Sequence, residues 1–233
     1  MRIPILMYHM VSDHPHPEDA RFCCRVAAFR RQMQYLQRSG YRVIGLDDLL
    51  DLDQGGIAQG DKLAAITFDD GYLDNYDNAL PILSDYGYTS TLFVVTDRVG
   101  GVNAWMKSNS SVQRPLMSWD QICELPSLHC SVGSHTRSHA DLAEVEPAAA
   151  LSEIQESKAI LEDRTGSPVD HFAYPYGRYA ANTPDMVGQC GYLTACSTRS
   201  GFNTPPFDRY ALRRIEVYGS DNLLNFRMKL HLG

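Results

Sequence analysis

Short apolar runs alternate with amphipathic stretches along this chain, a pattern that predicts βα units around a mostly parallel sheet. Strands are expected at 3–8, 42–44, 63–68, 91–95, 129–132, 171–173, 193–196 and 213–217. The clearest helices fall at 26–39, with Phe29, Met33 and Leu36 on one stripe, and at 147–165, where Leu151, Ile154, Lys158 and Leu161 recur at helical spacing. Ser118-Trp119-Asp120-Gln121 reads as a capping box, and Gly40, Gly87 and Gly166 sit where helices should stop. Two stretches, 14–25 and 98–117, fit neither period, and loops of that length usually carry function.

Composition narrows the picture. At 233 residues and 44% hydrophobic content the chain has the size of one α/β barrel, so a single domain over 1–233 is expected. A net charge of −7 argues against a surface built to grip nucleic acid or an anionic membrane, and a neutral or cationic partner fits better. The six cysteines show no CxxC pair and read as small buried apolar residues. Residues 1–9 hold only a brief apolar run, and no stretch approaches the roughly 20 apolar residues of a membrane span. A cytoplasmic location is the expectation, unless a leader precedes the chain.

The candidate chemistry lies at the ends of two predicted strands. Thr67-Phe68-Asp69-Asp70-Gly71 supplies adjacent carboxylates, and Ser134-His135-Thr136-Arg137-Ser138-His139 supplies two imidazoles. Together they make a His, His, Asp metal set with one carboxylate left over for base chemistry, which points to a hydrolase. His9, after the first strand, falls at the same end, where a parallel barrel builds its active site. Neighbouring residues of a turn point in different directions, so one Asp binds metal while the other faces the attacking water. Zinc is the default ion for such donors, with cobalt or nickel possible.

TFDDG, then His135-Thr136-Arg137-Ser138-His139, then Phe172-Ala173-Tyr174-Pro175-Tyr176-Gly177, resembles the polysaccharide deacetylase family, carbohydrate esterase family four. The resemblance spans nearly the whole chain and implies a distorted, incomplete (β/α) barrel that removes acetyl groups from a carbohydrate substrate. It implies Asp69 as the catalytic base and Asp70, His135 and His139 as metal ligands. Tyr174, Pro175 and Tyr176 would lie along the substrate groove, with the Tyr176 backbone N–H binding the oxyanion. Ala173 stands where the family commonly has an Arg that orients the base. Arg213 and Arg214 read first as structural, with one of them a possible substitute for it. His231, in the place of a late Leu-x-His motif, lies in a predicted terminal helix. Leu6-Met7-Tyr8-His9 resembles instead the circularly permuted branch that includes poly-N-acetylglucosamine deacetylases, which implies His9 as the general acid.

Trp105, Trp119, Tyr72, Tyr174 and Tyr176 are candidate stacking surfaces for a sugar ring. The rival readings are an O-acetyl esterase, a deformylase or deacetylase of a lipid- or nucleotide-linked sugar, and a catalytically silent carbohydrate-binding barrel. The complete Asp, Asp, His, His set speaks against the last.

Overall fold

A computed structural model describes residues 1–53, 61–105 and 112–233. The strands are β1 (Ile5–Tyr8), β2 (Met10–Val11), β3 (Cys23–Cys24), β4 (Tyr41–Val43), β5 (Lys62–Phe68), β6 (Ser90–Val94), β7 (Cys130–Ser134), β8 (His171–Ala173), β9 (Thr194–Cys196) and β10 (Ile215–Glu216). The α-helices are α1 (Val26–Arg38), α2 (Leu46–Asp53), α3 (Leu80–Asp85), α4 (Trp119–Glu124), α5 (Pro147–Thr165), α6 (Thr183–Gln189) and α7 (Leu223–Leu232). Each predicted strand forms, and β3, inside the loop expected at 14–25, adds a short parallel pair with β2 just before it.

The main sheet runs β10-β1-β5-β6-β7-β8-β9, with β4 also paired to β5, and every ladder is parallel. Helices cross between its strands, as parallel pairing requires. Between β9 and β10 the described residues offer an isolated bridge, Cys196 to Leu212, in place of a ladder, so the barrel is incomplete at that seam. The pairings Tyr8 with Phe68, Val94 with Ser134, and Ser134 with Phe172 bring the strand ends into register. His9, Asp69, His135 and the segment after β8 therefore emerge along one rim.

The period of two sorts the core into layers. Leu6, Tyr8, Ile66, Phe68, Leu92 and Phe172 face the helices, where Phe29, Met33 and Leu36 of α1 pack on them. Each of those α1 side chains contributes about 1.5–3 kcal/mol by leaving water. Ile3, Ile5, Leu63, Ala65, Phe93, Ala173, Cys196 and Leu212 form the inner layer, joined by Leu46, Leu49 and Leu52 of α2.

Two expectations need correction. On α5 the buried stripe is Ala150, Ile154, Ser157 and Leu161, while Leu151 is exposed. A buried Ser134–Ser157 hydrogen bond of 2.7 Å turns Ser157 inward, and Lys158 reaches aside to the Val169 carbonyl at 2.6 Å. Of the cysteines, Cys23, Cys24, Cys130 and Cys196 are buried, but Cys190 is half-buried and Cys123 exposed. The capping box forms as expected, with Gln121 N–H donating to Ser118 Oγ at 3.3 Å. No helix among the described residues is long and apolar enough to cross a membrane. The Ser/Asn cluster of the 98–117 loop lies at 106–111, outside the described residues.

Candidate metal centre and active site

Asp69 continues the inward parity of Leu63, Ala65 and Thr67. Asp70 cannot, because its φ of 75° and that of Gly71, 79°, swing the chain out of the strand direction. The two carboxylates thus part company at the rim, and Asp70 turns toward the loop after β7. There Asp70 Oδ1 stands 3.4 Å from His135 Nε2 and 3.3 Å from His139 Nε2, all three side chains being buried. Tetrahedral bonds of about 2.1 Å to one ion separate its donors by about 3.4 Å. Neither contact has the geometry of a hydrogen bond, so Asp70 Oδ1 is a buried acceptor with no hydrogen-bond partner among the described residues. The donor set and its spacing fit a divalent ion. No other group of three or more His, Cys, Asp or Glu among the described residues meets that test.

The loop that presents the imidazoles is held from several sides. His135 Nδ1 lies 2.7 Å from the Ala173 carbonyl, which fixes the ring and frees Nε2. Thr136 Oγ1 accepts the His139 N–H at 3.0 Å. Glu153 of α5 accepts from Arg137 N–H at 2.9 Å, Ser138 N–H at 2.8 Å and Ser138 Oγ at 2.7 Å, so one carboxylate caps the turn between the two histidines. Thr136 and His139 both have positive φ, 64° and 66°.

Asp69 meets Arg214, a fully buried guanidinium one residue before β10. Arg214 Nη1 and Nη2 donate to Asp69 Oδ1 and Oδ2 at 2.6 and 2.7 Å, Nη1 also to Thr67 Oγ1 at 3.3 Å, and Nε to the Ser197 carbonyl at 2.9 Å. Burial pushes the Asp69 carboxyl up, but the Arg214 charge and hydrogen bonds together with the nearby His135 and His9 outweigh it and leave Asp69 below the usual carboxylate range. Ala173 belongs to the inner layer, and the guanidinium that meets Asp69 comes instead from Arg214, just ahead of β10. Arg214, expected first as structural, is the cation that orients Asp69.

His9 reaches the rim half-buried, its ring 5.0 Å from that of Phe22 and its Nδ1 enclosed without a hydrogen-bond partner among the described residues. Trp105 stacks on His139 at 4.5 Å with rings 21° apart, and Tyr176 meets the same imidazole edge-on at 4.6 Å. Tyr176 is 51% exposed and sits at φ 59°. Tyr174 and Pro175 are buried, against the expectation of a groove lining: the Tyr174 hydroxyl donates to the Tyr210 carbonyl at 2.9 Å and its ring packs between Phe172 and Tyr179. The Tyr176 turn then lifts the next side chain out. Tyr72 is buried as well, and Trp119 lies against Arg164 of α5. His231 is on α7, 3.5 Å from the Tyr35 hydroxyl in the outer helix layer, away from the rim.

The family model for polysaccharide deacetylases matches residues 56–195. The chain belongs to the polysaccharide deacetylase family. This deacetylase is 27% identical over 216 residues to YxkH of Bacillus subtilis, whose name places it in the same family, covering 93% of this chain and 71% of that one. It is 23% identical over 194 residues to the poly-beta-1,6-N-acetyl-D-glucosamine N-deacetylase of Staphylococcus epidermidis, 81% of this chain and 66% of the other. The Streptococcus pyogenes deacetylase PplD in complex with acetate has the same fold, with a TM-score of 0.84 and 25% identity over 99% of this chain and 98% of its own. IcaB from Ammonifex degensii shares the fold at a TM-score of 0.81, with 24% identity over 99% and 96% of the two chains. The family is one of hydrolases, which agrees with the reading of the two motifs.

Proposed function

We propose that this chain is a metal-dependent N-deacetylase of an amino-sugar polymer. The observation that carries the reading is the divergence of Asp69 and Asp70, one bound to Arg214 in the barrel interior and the other within donor spacing of His135 and His139. Asp70, His135 and His139 would hold a divalent ion, by default zinc, with cobalt or nickel compatible with the same donors. Such an ion supplies a Lewis acid and a water of lowered pKa.

The residues around it divide the remaining work. Asp69, kept ionised by Arg214, accepts a proton from the attacking water. The Tyr176 backbone N–H faces the oxyanion that forms as water adds to the acetyl carbonyl. His9 returns a proton to the amino-sugar nitrogen as the C–N bond breaks, so one water and one amide yield acetate and an amine. Trp105 and Tyr176, both packed against His139, give a pyranose ring apolar faces to lie against.

The test combines metal analysis of the purified protein with acetate release from β-1,4- and β-1,6-linked N-acetylglucosamine oligomers and from an O-acetylated glycan. Bound divalent metal and acetate from one of the N-acetylated oligomers are expected. Release from the O-acetyl substrate alone would favour the esterase reading, and no release from any would favour a silent carbohydrate-binding barrel.

A further inference from the structure

The helical segment after the Asp69–Asp70 turn opens with a π-helical stretch, Asn75–Ala79, before tightening into α3. Such wide turns are rare and recur at functional sites. Here the turn and the residue before it aim three polar side chains at one short piece of backbone. Asn75 Nδ2 donates to the His9 carbonyl at 2.7 Å, Asn78 Nδ2 donates to the Val11 carbonyl at 2.9 Å, and Asp74 Oδ1 accepts the Val11 N–H at 3.3 Å. Asn75 is fully buried.

His9 needs this support because it has little of its own. The β1–β5 ladder ends at Tyr8 with Phe68, and the next rung is the Asp69 N–H to the Tyr8 carbonyl. The His9 ring has no hydrogen bond at its buried Nδ1 and lies against Phe22. An imidazole without a side-chain anchor takes its place from the backbone beneath it. The backbone carbonyl at that residue is held by Asn75.

We propose that Asn75 is a positioning residue for His9: by gripping the His9 carbonyl it sets where the imidazole stands relative to the Asp70, His135 and His139 centre. Asn78 and Asp74 brace the same segment two residues on, at Val11. The inference rests on the reading of His9 as general acid for its effect on amide cleavage, although the grip itself does not depend on that role.

The experiment compares wild type, Asn75→Ser, His9→Ala and the double variant on an N-acetylglucosamine oligomer and on an activated acetate ester, whose leaving group needs no proton. Metal content is measured in each. Asn75→Ser shortens the side chain beyond reach of the carbonyl, and a displacement on the order of 1 Å of a catalytic group costs up to about 100-fold. Its kcat on the amide should fall roughly 10- to 100-fold with KM, metal content and ester hydrolysis little changed. The double variant should be no slower than His9→Ala alone. Losses that multiply in the double variant would overturn the proposal, since Asn75 would then act by another route. Equal losses on amide and ester in His9→Ala would instead remove His9 from the acid role, and the cycle would still report whether Asn75 works through it. Should Asn75→Ser fail to fold, Asn78→Ser, at a half-buried position of the same clamp, is expected to give the same split at smaller size; a uniform loss on both substrates would count against the clamp.

Discussion

Arg214→Met removes the one guanidinium that meets Asp69 and keeps a side chain of similar reach in the barrel interior. The wild-type pair is fully desolvated and bidentate, at 2.6 and 2.7 Å. Breaking such a pair by deleting one partner strands a buried charge and costs about 3–5 kcal/mol. At a urea m-value of about 3 kcal/mol/M the unfolding midpoint should fall by about 1–1.7 M at neutral pH. The sign of its pH dependence follows from Asp69. In the wild type its folded pKa lies below the unfolded value, so the stabilisation is present above the unfolded pKa of about 3.9 and is lost as pH falls through the lower, folded one. In the variant burial is unopposed by Arg214 and the folded pKa rises, so the penalty stands at high pH and is relieved as pH falls toward about 3.9. Urea unfolding in chelator, at several pH values between about 4 and 8, reads both effects. A midpoint loss that stays constant across that range, or a loss at neutral pH under about 1 kcal/mol, would show that Arg214 does not hold a charged Asp69. The double variant Arg214→Met, Asp69→Asn should recover much of the loss, because no stranded charge remains.

The two carboxylates should separate in a metal assay: Asp69→Asn should keep the ion and lose about 100- to 10,000-fold in turnover, whereas Asp70→Asn should lose the ion, and equal metal loss in both would refute the division. Glu153→Ala uncaps the loop between the histidines, so competition against a chelating dye should show metal affinity down about 10- to 100-fold, the usual effect of losing a residue that orients the ligands. Unchanged affinity would mean that Thr136 and the strand ends hold the loop unaided.

The barrel and the two segments that carry the candidate ligands were legible because the information is local, whereas the choice of Asp70 over Asp69 as partner of the histidines came from the family resemblance. Each ladder strand announces itself by its own apolar run, and Asp70 and His135 sit just past strand ends, where register along parallel neighbours brings them together, with His139 on the loop that follows β7. Arg214 was not legible as the partner of Asp69, from which 145 positions separate it. The signal that hinted at it was Ala173, which stands where the family commonly has an Arg and so leaves Arg213 or Arg214 as a substitute. Tyr174 and Tyr176 look alike in sequence, and only the positive φ at Tyr176 sends one into the core and the other to the surface. On α5, Leu151 was misplaced because a serine pair rather than a leucine sets the buried face. The clamp from Asn75 to His9 joins a side chain to backbone and leaves no hydrophobic period to detect.

Among the described residues, five other than glycine adopt a left-handed backbone, and Asp70, Thr136, His139 and Tyr176 are four of them. At roughly 1–2 kcal/mol each, the rim withholds about 4–8 kcal/mol from a fold whose net stability is of the order of 5–15. On the proposed function these turns serve the metal site, so a descendant that no longer bound an ion would be free to relax them and would become more robust by doing so. On that reading the loss of catalysis would be thermodynamically downhill in this architecture.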